Sequence, residues 1–482
     1  MMELMTPTAY AHQSRVLAES RDAPTFALFW EMGTGKTKLT LDTIAHLRDN
    51  DRIDAVVVVA PNGVHRNWIE DEIPKWLPAP VQPYAWLSGK AGTKRHESAV
   101  ASLLTAPFPF LAFSYEGLVT ERAVKYLRKV FEKRRVFMVL DESTRIKTPG
   151  AKRTMKIVAA GKHAAYRRIL TGTPVTNSPF DVYSQMKFLD PDFWKKAGFG
   201  TLAEFRNHFG IFKTMENDRG QHWEQVVAYR NLSQLQALLA PVSSRVLKSD
   251  ALDLPPKLYT KRYFDLSPEQ VRVYREIRDE ALTLLASGEL VTAALAITRL
   301  LRLQQVTSNY LPVDDGSEDI VLVPITDRNP RLECLLELVD EIEGQAIIWA
   351  RFRRDIDQIT EGLVAAGHSC ARYDGKVGSD GRVAAKAAFQ KGDVKFFVAN
   401  PAVGATGLTL TAARTVIYYS NSFRLEDRLQ SEDRAHRIGQ HHPVQYIDIV
   451  APGTVDTHIV AALRNKINLA SQVTGDQLKE WI

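Results

Sequence analysis

Three short strings hold residue types that handle phosphate: Gly33-Thr34-Gly35-Lys36-Thr37, Asp141-Glu142, and Gln430 through Gln440 with Arg434 and Arg437 inside it. Backbone N–H groups of a glycine turn at a helix N-terminus cradle phosphate oxygens. A lysine there reaches the β and γ phosphates, and the hydroxyl after it can join Mg2+. A carboxylate pair at a strand end supplies a metal ligand and a group that orients attacking water. Two arginines three positions apart share a face if they lie on a helix, and their planar forks can both grip a transferring phosphoryl group. The candidate catalytic residues are therefore Lys36, Asp141 and Glu142, with Thr37 and Asp141 as metal ligands; Arg434 and Arg437, by themselves a solvated basic face, join the catalytic set only through the family resemblance given below. The first two strings fall early and the third late, so one site would have to be assembled from two separately folded lobes.

The elements that must position these residues are legible as short apolar runs. Phe26–Trp30 leads into the glycine loop, and Leu39, Leu41, Ile44 and Leu47 follow it in a helical stretch; Trp30 stands where the strict phosphate-loop pattern has glycine. Val136–Leu140 delivers Asp141 and Glu142 to its carboxyl end, where open α/β sheets bind ligands. Further buried strands are expected at Ala55–Val59 and Phe110–Phe113, then at Ala346–Trp349, Lys395–Ala399, Thr415–Tyr419 and Val444–Val450. Amphipathic helical stretches separate them, which predicts two parallel α/β lobes covered on both faces.

Leu254-Pro255-Pro256-Lys257 reads as a linker, because consecutive prolines resist helix and sheet interiors. The boundary is expected near residue 250, giving lobes over 1–250 and 251–482. From Asp192 to Asn309 strand patterns are scarce and helical periodicity dominates, which predicts helical insertions at about 192–240 and 265–312. One helix start is well marked: Ser267, Pro268 and Gln270 form a capping box with proline at the first helical position.

Composition bounds the partners. The 482 residues carry 62 basic and 56 acidic side chains, a net charge of +6, which permits a polyanionic partner without requiring one. The longest unbroken apolar run is Ala55 to Ala60, and the first residues lack a basic start followed by an apolar stretch, so a protein that neither spans a membrane nor is secreted is expected. Cys334 and Cys370 offer no metal-ligand spacing and suit a reducing compartment. Trp68 and Trp76 read as core residues, and His441-His442 as a solvated turn.

Taken in order and spacing, the strings resemble the Swi/Snf-type branch of the superfamily-two helicase-like ATPases. Gln13 lies where that family has its adenine-sensing glutamine. Val57 to Pro61 with Asn67-Trp68 is similar to motif Ia, and Phe113-Ser114-Tyr115-Glu116 to motif Ib. Asp141 to Lys147 resembles motif II, Leu170 to Asn177 motif III, Ile347 to Phe352 motif IV and Gly404 to Ala413 motif V. Arg434-Ala435-His436-Arg437-Ile438-Gly439-Gln440 is the ending that most separates this branch from strand-separating relatives. Departures are Trp30 for the usual aspartate, Thr34 for leucine, and Ser143-Thr144 for Ala-His in motif II.

The resemblance implies two tandem RecA-like lobes with helical insertions, using ATP and Mg2+ to move along double-stranded DNA without separating strands. It implies nucleotide contacts from Gln13, Gly33, Thr34, Gly35, Lys36, Thr37, Gly407 and Gln430. Nucleic-acid contacts would come from Pro61, Asn62, Ser114, Tyr115, Arg351, Phe352, Gly404 and Thr406, and coupling between the two sites from Thr171, Gly172 and Thr173. These would grip backbone phosphates without reading sequence. A compact monomeric motor lacking reader modules is expected, cytoplasmic and bacterial or virus-encoded. The rivals are a strand-separating or annealing helicase working on forks, and a DNA-binding scaffold with a vestigial nucleotide site.

Overall fold

Buried β-branched runs decide the architecture. The computed structural model describes residues 9–77, 80–216, 222–286, 293–313, 321–404 and 408–476. The chain divides into two compact units: Met1–Ile211, Tyr229–Asp253 and Leu469–Gln477 form the first, and Phe212–Ala228, Leu254–Asn468 and Leu478–Ile482 the second.

In the first unit, seven parallel strands form one sheet. They are β1 (Thr25–Trp30), β2 (Ala55–Ala60), β3 (Gln82–Ala85), β4 (Pro109–Ser114), β5 (Val136–Asp141), β6 (Tyr166–Leu170) and β7 (Ser243–Val246), in the order β3-β4-β2-β5-β6-β1-β7. Side chains alternate across it. Ala27, Phe29, Val57, Val59, Met138 and Leu140 enter one core layer. Phe26, Leu28, Trp30, Val56, Val58 and Val139 enter the other. Both faces are dry, as all-parallel sheets require. Trp30, the departure from the phosphate-loop pattern, is fully buried, and its indole N–H donates to Ser244 Oγ at 3.1 Å, so it fastens edge strand β7 to β1. The helices used below are α1 (Ala11–Ser20), α2 (Lys36–Asp49) and α3 (Val182–Leu189).

In the second unit, six parallel strands form β8 (Lys257–Tyr263), β9 (Gln345–Trp349), β10 (Cys370–Tyr373), β11 (Phe396–Ala399), β12 (Ala413–Tyr418) and β13 (Val444–Val450), in the order β8-β13-β12-β9-β11-β10. Its helices include α4 (Pro268–Ala286), α5 (Ala293–Thr307) and α6 (Leu425–Ala435), and α7 (Val455–Thr474) starts in this unit and ends in residues of the first. The capping box opens α4 as expected: Ser267 N–H donates to Gln270 Oε1 at 3.0 Å, and Gln270 N–H to Ser267 Oγ at 3.2 Å.

The stretch 192–309 is less helical than its pattern suggests. Besides helices it holds β7, β8 and a two-stranded sheet of Gly210–Glu216 with His222–Tyr229. The latter strands are mostly exposed and mix charge with apolar residues, and β7 and β8 are sheet edges, so none needs a continuous apolar run. Among the described residues no helix is long and apolar enough to cross a membrane.

Helix α6 is seated on charge rather than on apolar packing. Arg428 is 2% exposed; it donates to Glu432 Oε1 at 2.8 Å and to both Asp448 oxygens at 2.6 and 3.1 Å, with its guanidinium 3.6 Å from the Tyr418 ring centre. Lys257 Nζ and Tyr259 Oη complete the shell of Glu432 at 2.9 and 2.8 Å. Burial works to raise the Glu432 carboxyl, but Lys257 and Arg428 outweigh it and hold it at about 2. Its stabilising contribution is thus present above the ordinary value of 4.5 and is lost as pH falls through about 2. Arg428→Met, which leaves buried Asp448 without its charged partner, is expected to cost about 3–5 kcal/mol in urea unfolding at neutral pH. Glu432→Gln should flatten the decline in melting temperature between pH 4.5 and pH 2.

Candidate active site

The glycine loop leaves β1 and turns into α2. Gly33 and Gly35 hold φ of 81° and 91°, the left-handed region, and Gly35 is the N-cap of α2. The first N–H groups of α2 therefore face the turn with no intrahelical acceptor. Lys36, the first residue of α2, is 9% exposed and bends back, donating Nζ to Trp30 O at 2.8 Å and Glu31 O at 3.2 Å. That keeps an ammonium over the carboxyl end of β1. Thr34 Oγ1 donates to Glu31 O at 2.7 Å, and partly buried Thr37 follows Lys36 on α2.

Helix α1 straps this loop. Gln13 is 2% exposed, with Nε2 3.4 and 3.5 Å from the carbonyls of Thr34 and Gly35, and its Oε1 accepts Tyr10 N–H at 3.0 Å. His12 Nε2 lies 2.8 Å from Thr34 O. A Cβ on Gly35 would sit 1.8 Å from Gln13 Nε2, so glycine is required here by both torsion and space. Buried Lys248 lines the opposite side, with its N–H on Glu31 Oε2 at 2.7 Å and its Cε 3.8 Å from where a Gly33 Cβ would stand. No phosphate-loop pattern points to Lys248, which lies 212 residues beyond Lys36.

Strand β6 lies between the strands that carry the loop and the acidic pair: Leu170 pairs with Leu28 of β1 on one side and Asp141 of β5 on the other. Motif III starts there. Thr171 Oγ1 donates to Glu142 Oε2 at 3.4 Å and accepts Thr173 N–H at 3.1 Å. A Cβ on Gly172 would come within 3.2 Å of Trp30 O, so this segment runs against the loop. Arg245 of β7 ties the same two carbonyl ends, donating to Phe29 O at 2.6 Å and Gly172 O at 3.0 Å while pairing with Asp476 at 2.7 Å.

Asp141 ends β5, and Glu142 follows with φ 55°, an uncommon left-handed non-glycine residue. Burial pushes the Asp141 carboxyl upward, opposed by the hydrogen bond from Trp68 and by the Lys36 charge. The Trp68 indole N–H donates to Asp141 Oδ2 at 2.9 Å. Trp68 is 1% exposed, so it does belong to the core as its sequence context suggests, yet its one polar atom is committed to the acidic pair. Tyr115 is fully buried and donates its hydroxyl to Asp141 O at 2.9 Å and Glu142 O at 3.3 Å. Named as a nucleic-acid contact from its motif Ib position, Tyr115 has no exposed ring face, because it packs under the acidic turn.

The motif II departure has a structural counterpart. Ser143 Oγ donates to Gln185 Oε1 of α3 at 2.7 Å, and Gln185 Nε2 donates to Pro174 O at 2.8 Å. Motifs II and III are thus joined through a fully buried glutamine, with no histidine involved.

In the second unit, Arg434 Nη1 and Arg437 Nη1 both donate to Leu408 O at 3.1 Å. The pair converges, though not by sharing a helix face: α6 ends at Ala435, His436 is its C-cap, and Arg437 is brought round by the turn before Gly439, φ 95°. Gln440 Nε2 lies 3.1, 2.9 and 3.2 Å from the carbonyls of Thr411, Ala413 and Ala435, pinning this turn to the end of motif V. Gln430, 9% exposed on α6, lies 3.4 Å from Glu426. His436 Nε2 reaches Pro255 O of the linker at 2.7 Å.

The remaining expected nucleic-acid contacts are scattered over strand ends. Pro61 is buried and Asn62 exposed after β2; Ser114, 8% exposed, spends its hydroxyl accepting Gly117 N–H at 3.0 Å. Arg351 is held by Gln304 Oε1 and lies 5.3 Å from the Phe352 ring centre, beside a cavity of about 530 Å³ that Asn400, Phe423 and Arg424 also line. Gly404 ends the short helix Pro401–Gly404, and Thr406 and Gly407 lie outside the described residues.

Among the described residues no cluster of three or more His, Cys, Asp or Glu side chains could hold a metal by itself. One partly buried carboxylate, Asp141, and the Thr37 hydroxyl at the start of α2 fit Mg2+, which keeps waters and phosphate oxygens as its other ligands.

Comparison with known proteins places these features. The SNF2-related domain model matches residues 16–310, and the helicase conserved C-terminal domain model matches residues 330–439. The mouse SWI/SNF-related matrix-associated actin-dependent regulator of chromatin subfamily A member 1 is 28% identical over 458 residues, covering 92% of this chain and 41% of the relative. The ISWI chromatin-remodeling complex ATPase CHR17 of Arabidopsis thaliana is 28% identical over 453 residues, covering 92% and 40%. The chain therefore spans about two fifths of the length of these relatives. The Sulfolobus solfataricus SWI2/SNF2 ATPase core in complex with dsDNA aligns at 22% identity and a TM-score of 0.41, covering 98% of this chain and 94% of that one.

Gly35→Ala is expected to weaken nucleotide binding about 5- to 30-fold, since left-handed strain alone costs roughly 1–2 kcal/mol. Equilibrium titration with a fluorescent ATP analogue measures it.

Proposed function

Because the chain belongs to the SNF2-related family, we propose that it is an ATP-driven motor that moves along double-stranded DNA and remodels DNA or protein–DNA complexes without separating strands. One observation supports this most: a glycine turn, Lys36, Thr171 and the Asp141–Glu142 pair lie at the carboxyl ends of β1, β6 and β5 in one unit. The relatives' names, which speak of chromatin remodelling and of ATPases, agree with it.

In this reading Lys36 leaves the carbonyls of Trp30 and Glu31 for the β and γ phosphates. The α2 N-terminus and Thr34 cradle the triphosphate, and Gln13 reads the base. Asp141 and Thr37 would hold Mg2+, which supplies charge neutralisation at the phosphates. Glu142, steadied by Thr171, orients the attacking water, and Arg434 and Arg437 stabilise the charge on the transferring phosphoryl group. Gln430 and Gly407 complete the nucleotide contacts. Thr171, Gly172 and Thr173 couple hydrolysis to the DNA face, where Pro61, Asn62, Ser114, Arg351, Phe352, Gly404 and Thr406 meet backbone phosphates. ATP drives motion only through its differential affinity for two arrangements of the units. A monomer acting in the cytoplasm suits this reading.

ATP turnover measured without nucleic acid and with single strand, duplex, fork and RNA tests the proposal, together with displacement of a triplex third strand. Duplex is expected to accelerate turnover most, and the third strand to be released with the duplex intact. Unwinding of a plain duplex would instead favour a strand-separating helicase, and no hydrolysis at saturating duplex a scaffold. Arg437→Ala should lower turnover on the order of 10³-fold; a wild-type rate would refute the arginine assignment.

A further inference from the structure

Two buried aromatic side chains connect the loops after β2 and β4 to the acidic pair, and nothing in the phosphate-binding pattern accounts for them. Trp68 follows the Pro61-Asn62-Gly63 turn at the end of β2. Gly63 has φ 88°, His65 N–H bonds Pro61 O at 3.2 Å, and the chain then enters a π-helical turn over Trp68–Glu72. Such wide turns recur at functional sites. Tyr115 follows Ser114 directly at the end of β4, in a short helix that Ser114 itself caps. The first loop thus presents exposed Asn62 and Gly63, the second starts at buried Ser114, and each carries within a few residues an aromatic chain directed inward.

The polar atom of each aromatic is spent on the same two residues. Trp68 fixes the Asp141 carboxylate, and the Tyr115 hydroxyl bridges the carbonyls of Asp141 and Glu142. Core packing alone does not demand this: the indole N–H groups of Trp86 and Trp349, comparably buried, have no hydrogen-bond partner among the described residues. Glu142 also sits at φ 55°, a strained torsion that persists only where surrounding contacts impose it. The Tyr115 hydroxyl bonds the carbonyls on either side of that torsion.

We propose that Trp68 and Tyr115 are positioning residues that carry occupancy of the Pro61–Gly63 and Ser114 rims to the Asp141 carboxylate and the Glu142 backbone, setting how strongly duplex DNA accelerates hydrolysis. The inference rests on the DNA-motor reading above. It assigns a route separate from Thr171, which meets Glu142 through its carboxylate. Neither aromatic has an exposed face for DNA, since Trp68 is 1% and Tyr115 0% exposed.

Trp68→Phe and Tyr115→Phe remove one donor each and keep the ring. ATP turnover against duplex concentration, and without DNA, gives the acceleration ratio and the half-saturating duplex concentration; thermal unfolding reports integrity. The acceleration ratio is expected to fall about tenfold in each variant, the worth of one charge-assisted or bridging hydrogen bond. Half-saturation should stay within about twofold, a margin well under 1 kcal/mol. Undiminished acceleration in the variants overturns the inference, and so does a half-saturating concentration that rises in step with the lost rate, which would mark a DNA contact. Should Trp68→Phe fail to fold, Tyr115→Phe alone decides. A parent protein that hydrolyses ATP with no response to duplex refutes the DNA-motor reading and this inference with it, whereas acceleration persisting in both variants refutes only the inference.

Discussion

A carboxylate taken out of water must be compensated by charge or donors, and that constraint shapes both units. Asp141 meets it in the first. It sits at the partly buried end of β5, where desolvation opposes its charge, and an indole N–H and the Lys36 ammonium oppose the desolvation. The indole N–H holds the carboxylate in one orientation. Glu432 and Asp448 meet it in the second unit with Arg428, Lys257 and Tyr259, and there the compensation is internal and complete enough to seat a helix. Asp141 is the less completely compensated, its carboxyl pushed upward while that of Glu432 is held at about 2.

Strand order turns this local chemistry into a connected surface. With β6 between β1 and β5, the residues after Leu170 are neighbours of both the glycine turn and the acidic pair. Gly172 can lie against Trp30 O because it lacks a side chain, and Thr171 can reach Glu142. The loss of histidine from motif II does not sever this link, since Ser143, Gln185 and Pro174 O form another path of two hydrogen bonds.

Much of the frame was legible in the chain because it rests on local signals. Long apolar runs such as Ala55–Ala60 and Val136–Leu140 have no stable place except a strand wet on neither face. The glycine turn and the Ser267 cap announce themselves by torsional need and side-chain reach. Strands β3, β6 and β10 were not legible: Gln-Pro-Tyr-Ala, Tyr-Arg-Arg-Ile-Leu and Cys-Ala-Arg-Tyr are short or interrupted by polar residues. Arg168 in β6 is 2% exposed, its guanidinium satisfied by Ser20 O at 2.8 Å and lying over Phe137, a solution no periodicity reveals. The site followed the same division. Lys36, Asp141 and Glu142 are named by their neighbours in sequence. Trp68 finds its acceptor 73 residues away, and Arg437 joins Arg434 through a turn that a helical projection does not contain.

The wide turn at Trp68–Glu72 bears on which changes of chain length this region can absorb. Ile73 N–H reaches back five residues to Trp68 O, and Pro74, lacking an N–H, cannot restore the tighter spacing at the next step. The segment thus holds one more residue than a regular helix of the same rise. Substitutions along its outer face leave that count untouched, but deleting a single residue between Gly63 and Trp68 would swing the indole by about 100° around the axis. Spacing here is under tighter constraint than the identity of exposed Arg66, whereas buried His65 and partly buried Asn67 of the motif Ia string are held by both.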